Sequence, residues 1–116
     1  MFEYQATCIN VVDGDTLDVT ISLGFRMTTT QRVRLYGVNT PERGHPGAAE
    51  ATAMLRELVI GRPLIARTVK PVDKYGRFLA QLRTDQCPDV AEALIAAGLG
   101  MGYYGGAKPP DPQGAT

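Results

Sequence analysis

This sequence of 116 residues has no net charge, because its twelve lysines and arginines are matched by twelve aspartates and glutamates. A protein without excess positive charge does not attract a polyanion through its overall field, so nucleic-acid binding would need a local patch of basic residues. The charge balance therefore removes the simplest argument for a nucleic-acid-binding protein, but it leaves a local site open.

Cysteines and long apolar runs are scarce as well. Cys8 lies in a β-rich segment and Cys87 in a Gln-Cys-Pro turn, a spacing that matches no metal-binding cysteine motif, so we expect two unpaired thiols. No apolar run is long enough to span a bilayer, and the first residues lack the pattern of a secretory signal. We therefore expect a soluble, cytoplasmic protein that makes no membrane contact.

What the sequence does contain is the alternation of apolar and polar residues that is typical of β-strands. It predicts five short strands, over residues 3–12, 17–23, 30–38, 64–69 and 78–82. The Asp-Gly-Asp turn at residues 13–15 predicts a hairpin between the first two strands, and the polar turn at residues 73–76 joins the last two.

Two segments have helical spacing instead. Apolar residues between positions 51 and 59 predict an amphipathic helix that ends at Gly61. A capping box formed by Asp89 and Glu92 predicts a second helix, which ends at Gly98.

Together these elements predict an α+β fold that is mainly β, either a small barrel or a strongly bent sheet with helices at one side. At this length the chain forms one domain, which we place over residues 1–104. The glycine- and proline-rich residues 105–116 are expected to be a flexible tail.

Three short runs carry groups that suit the hydrolysis of a phosphodiester. Residues 13–16 (Asp-Gly-Asp-Thr) offer hard carboxylate ligands for a cation. Residues 34–42 offer a guanidinium, a pre-proline carbonyl at Thr40 and a candidate base at Glu42. Residues 73–77 (Asp-Lys-Tyr-Gly-Arg) add a second guanidinium, with a lysine and a tyrosine that could hold a phosphate or a base. The combination suits attack on a phosphodiester held beside a hard cation.

Each run taken alone has a simpler explanation. The aspartates at 13–15 could only stabilise a turn, Arg34 could form a surface ion pair, and Glu42 could simply precede the helix. The only histidine, His45, lies in a glycine-containing loop, where we do not expect it to be held in place. The three runs favour a functional site because they occur together.

In this order, and with a helix between the second and third, the three runs resemble the staphylococcal nuclease (thermonuclease-like) family. The resemblance extends from about residue 5 to residue 104. It implies a five-stranded OB-fold barrel with two packed helices. It also implies calcium-dependent hydrolysis of DNA or RNA with little sequence preference.

The resemblance assigns roles to individual residues. It implies three catalytic residues: Arg34 and Arg77, which match phosphate-binding arginines, and Glu42, which matches the proposed general base. It implies three metal ligands: Asp15, Asn39 and the backbone carbonyl of Thr40. It implies contacts with the nucleotide from Lys74, Tyr75 and Tyr104.

Three departures from the family pattern change these expectations. Asn39 stands where the family usually has a second calcium-binding aspartate, so we expect weaker Ca²⁺ binding or tolerance of another hard divalent ion. The loop after Glu42 is shorter than in the best-known member, which changes how substrate is covered. No basic helix follows Tyr104, so we expect weaker affinity for nucleic acid.

Three hypotheses follow from the sequence. The first is a monomeric, metal-dependent phosphodiesterase acting on single-stranded or loosely paired nucleic acid. The second is a non-catalytic OB-like module that binds nucleic acid or protein and has a degenerate metal site, as Asn39 and the zero net charge would favour. The third is a purely structural barrel, which requires the three runs to coincide by chance.

Overall fold

The computed structural model describes residues 2–70 and 76–103. Its elements in chain order are β1 Glu3–Asp13, β2 Thr16–Gly24, β3 Met27–Leu35, β4 Gly37–Asn39, α1 Ala48–Val59, β5 Leu64–Lys70, β6 Phe78–Arg83, α2 Val90–Ala96 and β7 Met101–Tyr103. The predicted turn at residues 73–75, Tyr104 and the predicted tail lie outside the described residues.

Five of the strands form a closed barrel in the order β1-β2-β3-β6-β5. The hairpins β1–β2 and β2–β3 are antiparallel, β3 and β6 run parallel, and β1 pairs with β5 to close the barrel. Helix α1 packs against β1, and α2 packs against α1, β4 and β6. The predicted five-stranded barrel with two helices is confirmed.

The barrel core follows from the alternation seen in the sequence. Leu17 and Val19 of β2 and Val33 and Leu35 of β3 are almost completely buried, whereas the residues between them point away from the core. On α1, the buried residues recur on one face of the helix, at Ala48, Ala51, Leu55 and Val59.

The predicted start of α2 and the predicted end of α1 are both confirmed. The side chain of Asp89 caps α2 by accepting a hydrogen bond from the backbone N–H of Glu92, at 3.3 Å. Gly61 follows the last residues of α1 with a left-handed φ of 73°, which is the usual conformation of a glycine after a helix. Within the described ranges, no helix has both the length and the apolar character needed to cross a membrane.

The predicted strand over residues 30–38 is wrong in its extent. The chain is already extended from Met27, and it leaves the barrel at Tyr36 and Gly37, where Gly37 has a φ of 93°. The residues that follow form β4, which pairs with β7 in a separate two-stranded sheet, with Asn39 opposite Met101. The sequence predicted no strand after α2.

A glycine allows this second sheet to form. A Cβ atom at Gly100 would lie 2.5 Å from Cγ2 of Val38, a separation that no real side chain tolerates. The backbone before β7 can therefore approach β4 only because residue 100 has no side chain, and this approach fixes the strand that carries Asn39.

Both cysteines are free, as predicted. Cys8 is buried in the barrel, and burial raises the pKa of its thiol. Cys87 is half-buried in the loop before α2.

Candidate active site

The turn between β1 and β2 holds two carboxylates close together. Asp13 pairs with Thr16 across the hairpin, and Oδ1 of Asp13 accepts a hydrogen bond from the backbone N–H of Asp15 at 3.2 Å. Asp15 is buried, and its Oδ1 accepts from the hydroxyl of Thr16 at 3.1 Å. Burial and the neighbouring Asp15 carboxylate raise the pKa of the Asp13 carboxyl.

Gly14 lets this turn pack directly against its neighbours. A Cβ atom at residue 14 would lie 2.6 Å from Cβ of Ala51 on α1 and 2.7 Å from Oγ1 of Thr40. The lack of a side chain therefore brings the two carboxylates against the helix and against the segment that carries Thr40.

Replacing Gly14 with alanine is expected to lower the free energy of unfolding by about 1–3 kcal/mol, since a methyl group would have to displace packed atoms on two sides. Urea denaturation measures this change. Ser22→Ala, at an exposed position of β2, serves as the control and should leave stability almost unchanged. A Gly14→Ala protein as stable as the wild type would show that the turn can move away from α1 without loss.

Arg34 forms a buried ion pair with Asp15. It lies opposite Thr16 on β3, and its side chain is only 10% exposed. Its Nη2 lies 3.5 Å from Oδ2 of Asp15 and donates at 3.4 Å to Oδ1 of Asn39, while its Nη1 donates to the carbonyl of Leu35 at 3.2 Å. The surface ion pair considered for this arginine is thus replaced by a buried one.

Asn39 and Thr40 lie against the same pair. The backbone N–H of Thr40 donates to Oδ2 of Asp15 at 3.1 Å. Asn39 is 1% exposed, and its Nδ2 has no hydrogen-bond partner among the described residues. Rotating the amide would turn Nδ2 toward the Arg34 guanidinium, donor against donor, so Arg34 fixes its orientation. An unpartnered buried donor of this kind suits an oxygen of a water molecule or of a phosphate.

Glu42 follows on an exposed turn. The N–H of His45 donates to the carbonyl of Glu42 at 2.9 Å, with Gly44 at a φ of 88°. A second turn follows at once, because the N–H of Ala48 donates to the carbonyl of His45 at 3.1 Å and Gly47 also has a φ of 88°. These two bonds hold the backbone on both sides of His45. That its side chain is poorly placed to meet a phosphate stays a prediction.

Arg77 lies next to the strand that pairs with the Arg34 segment of β3. It is half-buried and directly precedes β6, whose Leu79 lies opposite Arg34 on β3. Lys74, Tyr75 and Tyr104, which were predicted to bind substrate, lie outside the described residues.

The structure therefore brings Asp15, Arg34, Asn39 and Thr40 into direct contact, with Asp13 beside them and Glu42 two residues beyond Thr40. One contact was not predicted: the side chain of Arg43 donates to a backbone carbonyl of β1. Nothing in the sequence indicated it, because the carbonyl belongs to a segment thirty-one residues away.

The oxygen atoms at this site are of the kind that hard cations prefer. They include the carboxylates of Asp13 and Asp15 and the amide oxygen of Asn39, which also accepts a hydrogen bond from Arg34. At Thr40 the structure shows a contact of the backbone N–H, with Asp15, so the metal role of the Thr40 carbonyl stays a prediction. In the part of the chain that the structure describes, no three acidic, histidine or cysteine side chains form a metal-binding group. The donor set thus fits a hard cation that is bound partly by neutral oxygens, which predicts modest affinity.

Comparisons with known proteins show which family this chain resembles. A family model described as "Staphylococcal nuclease homologue" matches residues 32–113. Among curated relatives, "Micrococcal nuclease" of Shigella flexneri is 28% identical over 119 residues, which cover 96% of this chain and 65% of that protein. "Uncharacterized endonuclease" of Escherichia coli O157:H7 is 30% identical over 95 residues, or 82% of this chain and 58% of that protein.

A third relative, "Probable endonuclease LCL3" of Yarrowia lipolytica, is 33% identical over 85 residues, which cover 66% of this chain and 37% of that protein. This chain thus spans less than two thirds of the length of each of these relatives. Because the family model covers more than half of the chain and the barrel agrees with the predicted fold, the chain belongs to the staphylococcal nuclease family.

Proposed function

We propose that this protein is a nuclease that hydrolyses phosphodiester bonds in DNA or RNA with little sequence preference. The observation that carries the proposal is the buried ion pair of Asp15 and Arg34, joined to Asn39 and Thr40. Burying two charges is costly, and such groups are concentrated at functional sites. The names of the relatives contain the words nuclease or endonuclease, which supports the same function for this chain.

In this proposal the two arginines bind and neutralise the scissile phosphate. A planar guanidinium can donate to two phosphate oxygens at once, and Arg34 is held by Asp15 and by the carbonyl of Leu35 in one orientation. Arg77 would approach from the strand next to it. The five-coordinate transition state carries more negative charge than the substrate, so fixed guanidinium groups stabilise it more strongly.

Glu42 is the proposed general base. The residue is exposed, so water has access to it, and its backbone is held in a hydrogen-bonded turn directly after the segment fixed on Asp15. A base mounted on a rigid turn can accept a proton from water while that water attacks phosphorus.

We also propose that Asp15, Asn39 and the carbonyl of Thr40 bind Ca²⁺, with another hard divalent ion as the alternative because Asn39 is neutral. When bound, such an ion supplies positive charge beside the phosphate and beside the attacking water. Two adjacent carboxylates in partly buried surroundings, Asp13 and Asp15, would be stabilised by a cation between or beside them.

Replacing Asn39 with aspartate is expected to tighten Ca²⁺ binding about tenfold, since affinity at oxygen sites rises with the number of charged ligands. Isothermal titration calorimetry measures the affinity, and a thermal shift on adding Ca²⁺ gives a second readout. Gln5→Glu adds the same charge at an exposed position of β1 and is the control. Unchanged or weaker Ca²⁺ binding by Asn39→Asp would argue that Asn39 is not a ligand.

The substrate we propose is single-stranded or loosely paired nucleic acid, and the active form is a monomer. Asp15, Arg34, Asn39 and Thr40 are all more than nine-tenths buried, so a scissile phosphate has to approach them closely. A flexible single strand can bend to make such an approach more easily than a stiff duplex can.

A non-catalytic binding module remains the second candidate, favoured by Asn39 and by the lack of net charge. Degradation of labelled single-stranded DNA, single-stranded RNA and duplex DNA, each with Ca²⁺, Mg²⁺ or a chelator, distinguishes the two. Cleavage that requires a divalent ion and is faster on single strands supports the nuclease. Binding of the same oligonucleotides without cleavage under any condition would overturn the nuclease proposal and favour the module.

A further inference from the structure

The side chain of Arg43 crosses from the loop after Glu42 to the first strand of the barrel. Its Nη2 donates to the backbone carbonyl of Val12 at 3.0 Å. Val12 directly precedes the carboxylate-bearing turn at residues 13–15. The contact therefore joins the segment of the proposed base to the segment of the proposed cation ligands.

The acceptor is made available by an irregularity in β1. In the pairing with β2, Val11 lies opposite Leu17 and Asp13 lies opposite Thr16. Val12 therefore has no residue of β2 opposite it. An extra residue of this kind in one strand is left out of the regular hydrogen-bond pattern, and such bulges occur preferentially next to active sites. A carbonyl outside the ladder needs another donor, and Arg43 provides one.

The donor side is equally well defined. Arg43 is the second residue of the turn that begins at Glu42 and is closed by the N–H of His45. Gly44, the third residue, has the left-handed φ that this turn requires. Because the turn is closed by its own hydrogen bond, holding Arg43 in place also holds the neighbouring Glu42.

Glu42 thus lies between two links to the same hairpin. On its amino-terminal side, the N–H of Thr40 donates to Asp15, and on its carboxyl-terminal side the Arg43 guanidinium donates to Val12. Both links hold the turn that carries Glu42 against residues 12–15.

We propose that Arg43 is a positioning residue, which holds the carboxylate of Glu42 at a constant distance from Asp13 and Asp15. This inference rests on the proposed nuclease function. Displacing a catalytic group by about 1 Å can cost up to about a hundredfold in rate. One hydrogen bond that helps to hold this turn can therefore change the rate measurably. The competing role, direct binding of substrate phosphate by Arg43, predicts different kinetics.

The first test compares Arg43→Ala and Arg43→Lys with the wild type on a short single-stranded oligonucleotide. Arg43→Ala should lower kcat roughly tenfold and leave KM unchanged, because the substrate contacts remain while the base is less well placed. Arg43→Lys should recover part of the loss, since an ammonium group also donates to a carbonyl. Arg26→Ala, at the tip of the β2–β3 hairpin, removes the same charge away from the site and should change neither constant.

A double-mutant cycle separates positioning from direct binding. In a Glu42→Gln background, Arg43→Ala should have little further effect, because a residue that acts through Glu42 loses its influence when the base is gone. Two losses that multiply would overturn the proposal. So would a rise in KM together with a weaker dependence on salt, which is the signature of a lost phosphate contact.

Hydrogen exchange tests the contact between Arg43 and Val12 without relying on activity. The amide of His45, which closes the turn on Glu42, should exchange several-fold faster in Arg43→Ala and at the wild-type rate in Arg26→Ala. Unchanged exchange in Arg43→Ala would overturn the positioning role. If the wild type cleaves no nucleic acid with any divalent ion, the nuclease function fails. Faster exchange in Arg43→Ala would then show only that Arg43 stabilises the turn, and the positioning role would fail with the nuclease function.

Discussion

Replacing Glu42 with glutamine is expected to lower kcat on single-stranded DNA by about 10²- to 10⁴-fold, the usual contribution of a general base. Glutamine has nearly the same shape as glutamate, so the turn at residues 42–45 and the buried groups around Asp15 should keep their positions. It cannot accept a proton from water, so only the chemical step should suffer. Single-turnover cleavage of a labelled oligonucleotide measures that step directly.

Two further measurements make the Glu42→Gln result specific. Glu57→Gln, on the exposed side of α1, makes the same chemical change outside the site and should leave kcat at the wild-type value. Ca²⁺ affinity of Glu42→Gln should also be unchanged, because Glu42 is not among the proposed ligands. A Glu42→Gln enzyme that cleaves nearly as fast as the wild type would mean that another group activates the water.

Replacing Asp15 with asparagine is expected to lower the free energy of unfolding by about 3 kcal/mol, because it breaks a buried ion pair. Arg34 would remain largely buried and would lose its contact with the Asp15 carboxylate. The new amide would also place a donor where Arg34, the Thr40 N–H or the Thr16 hydroxyl now donates. Denaturation with urea, followed by far-ultraviolet circular dichroism, measures the loss.

Two comparisons show whether burial is the cause. The double variant Asp15→Asn with Arg34→Gln removes both charges and should be more stable than Asp15→Asn alone. Glu3→Gln breaks the pair of Glu3 and Arg83, which is shorter, at 2.8 Å against 3.5 Å, but lies on the surface. That change should have little effect on stability, since exposed ion pairs contribute little. Equal losses from Asp15→Asn and Glu3→Gln would contradict the argument from burial.

The parts of the fold that the sequence predicted correctly are those set by local chemistry. The alternation of apolar and polar side chains predicted the strands, and the Asp-Gly-Asp turn predicted the first hairpin. The cap of α2 by Asp89 depends only on residues three positions apart. None of these features requires knowledge of distant segments.

Other features of the site depend on contacts between distant segments, which the periodicity of the sequence does not reveal. Arg32 and Arg34 share one face of β3, so the alternation along the strand predicts the same burial for both. Arg32 is half-exposed and pairs with Asp18, whereas Arg34 is buried and contacts Asp15 and Asn39. The difference arises because the chain after β3 turns back over one end of that face.

The pairing of β4 with β7 was also missed, and for a related reason. Gly100 and Gly102 reduce the strand signal of residues 101–103, because glycine favours no extended structure. In the fold the glycine at 100 is what allows contact with Val38. A residue that weakens the local prediction thus makes the tertiary contact possible.

Because Asn39 is held by a strand that comes after both helices, barrel formation and completion of the site are separated in chain order. A ribosome releases all five barrel strands before it releases Met101, the residue opposite Asn39. The barrel can therefore close first, with residue 39 still unpaired. Under the proposed function, a nascent chain would carry a folded barrel but no finished site, and the capacity to cut nucleic acid would arise only after Met101 has been released.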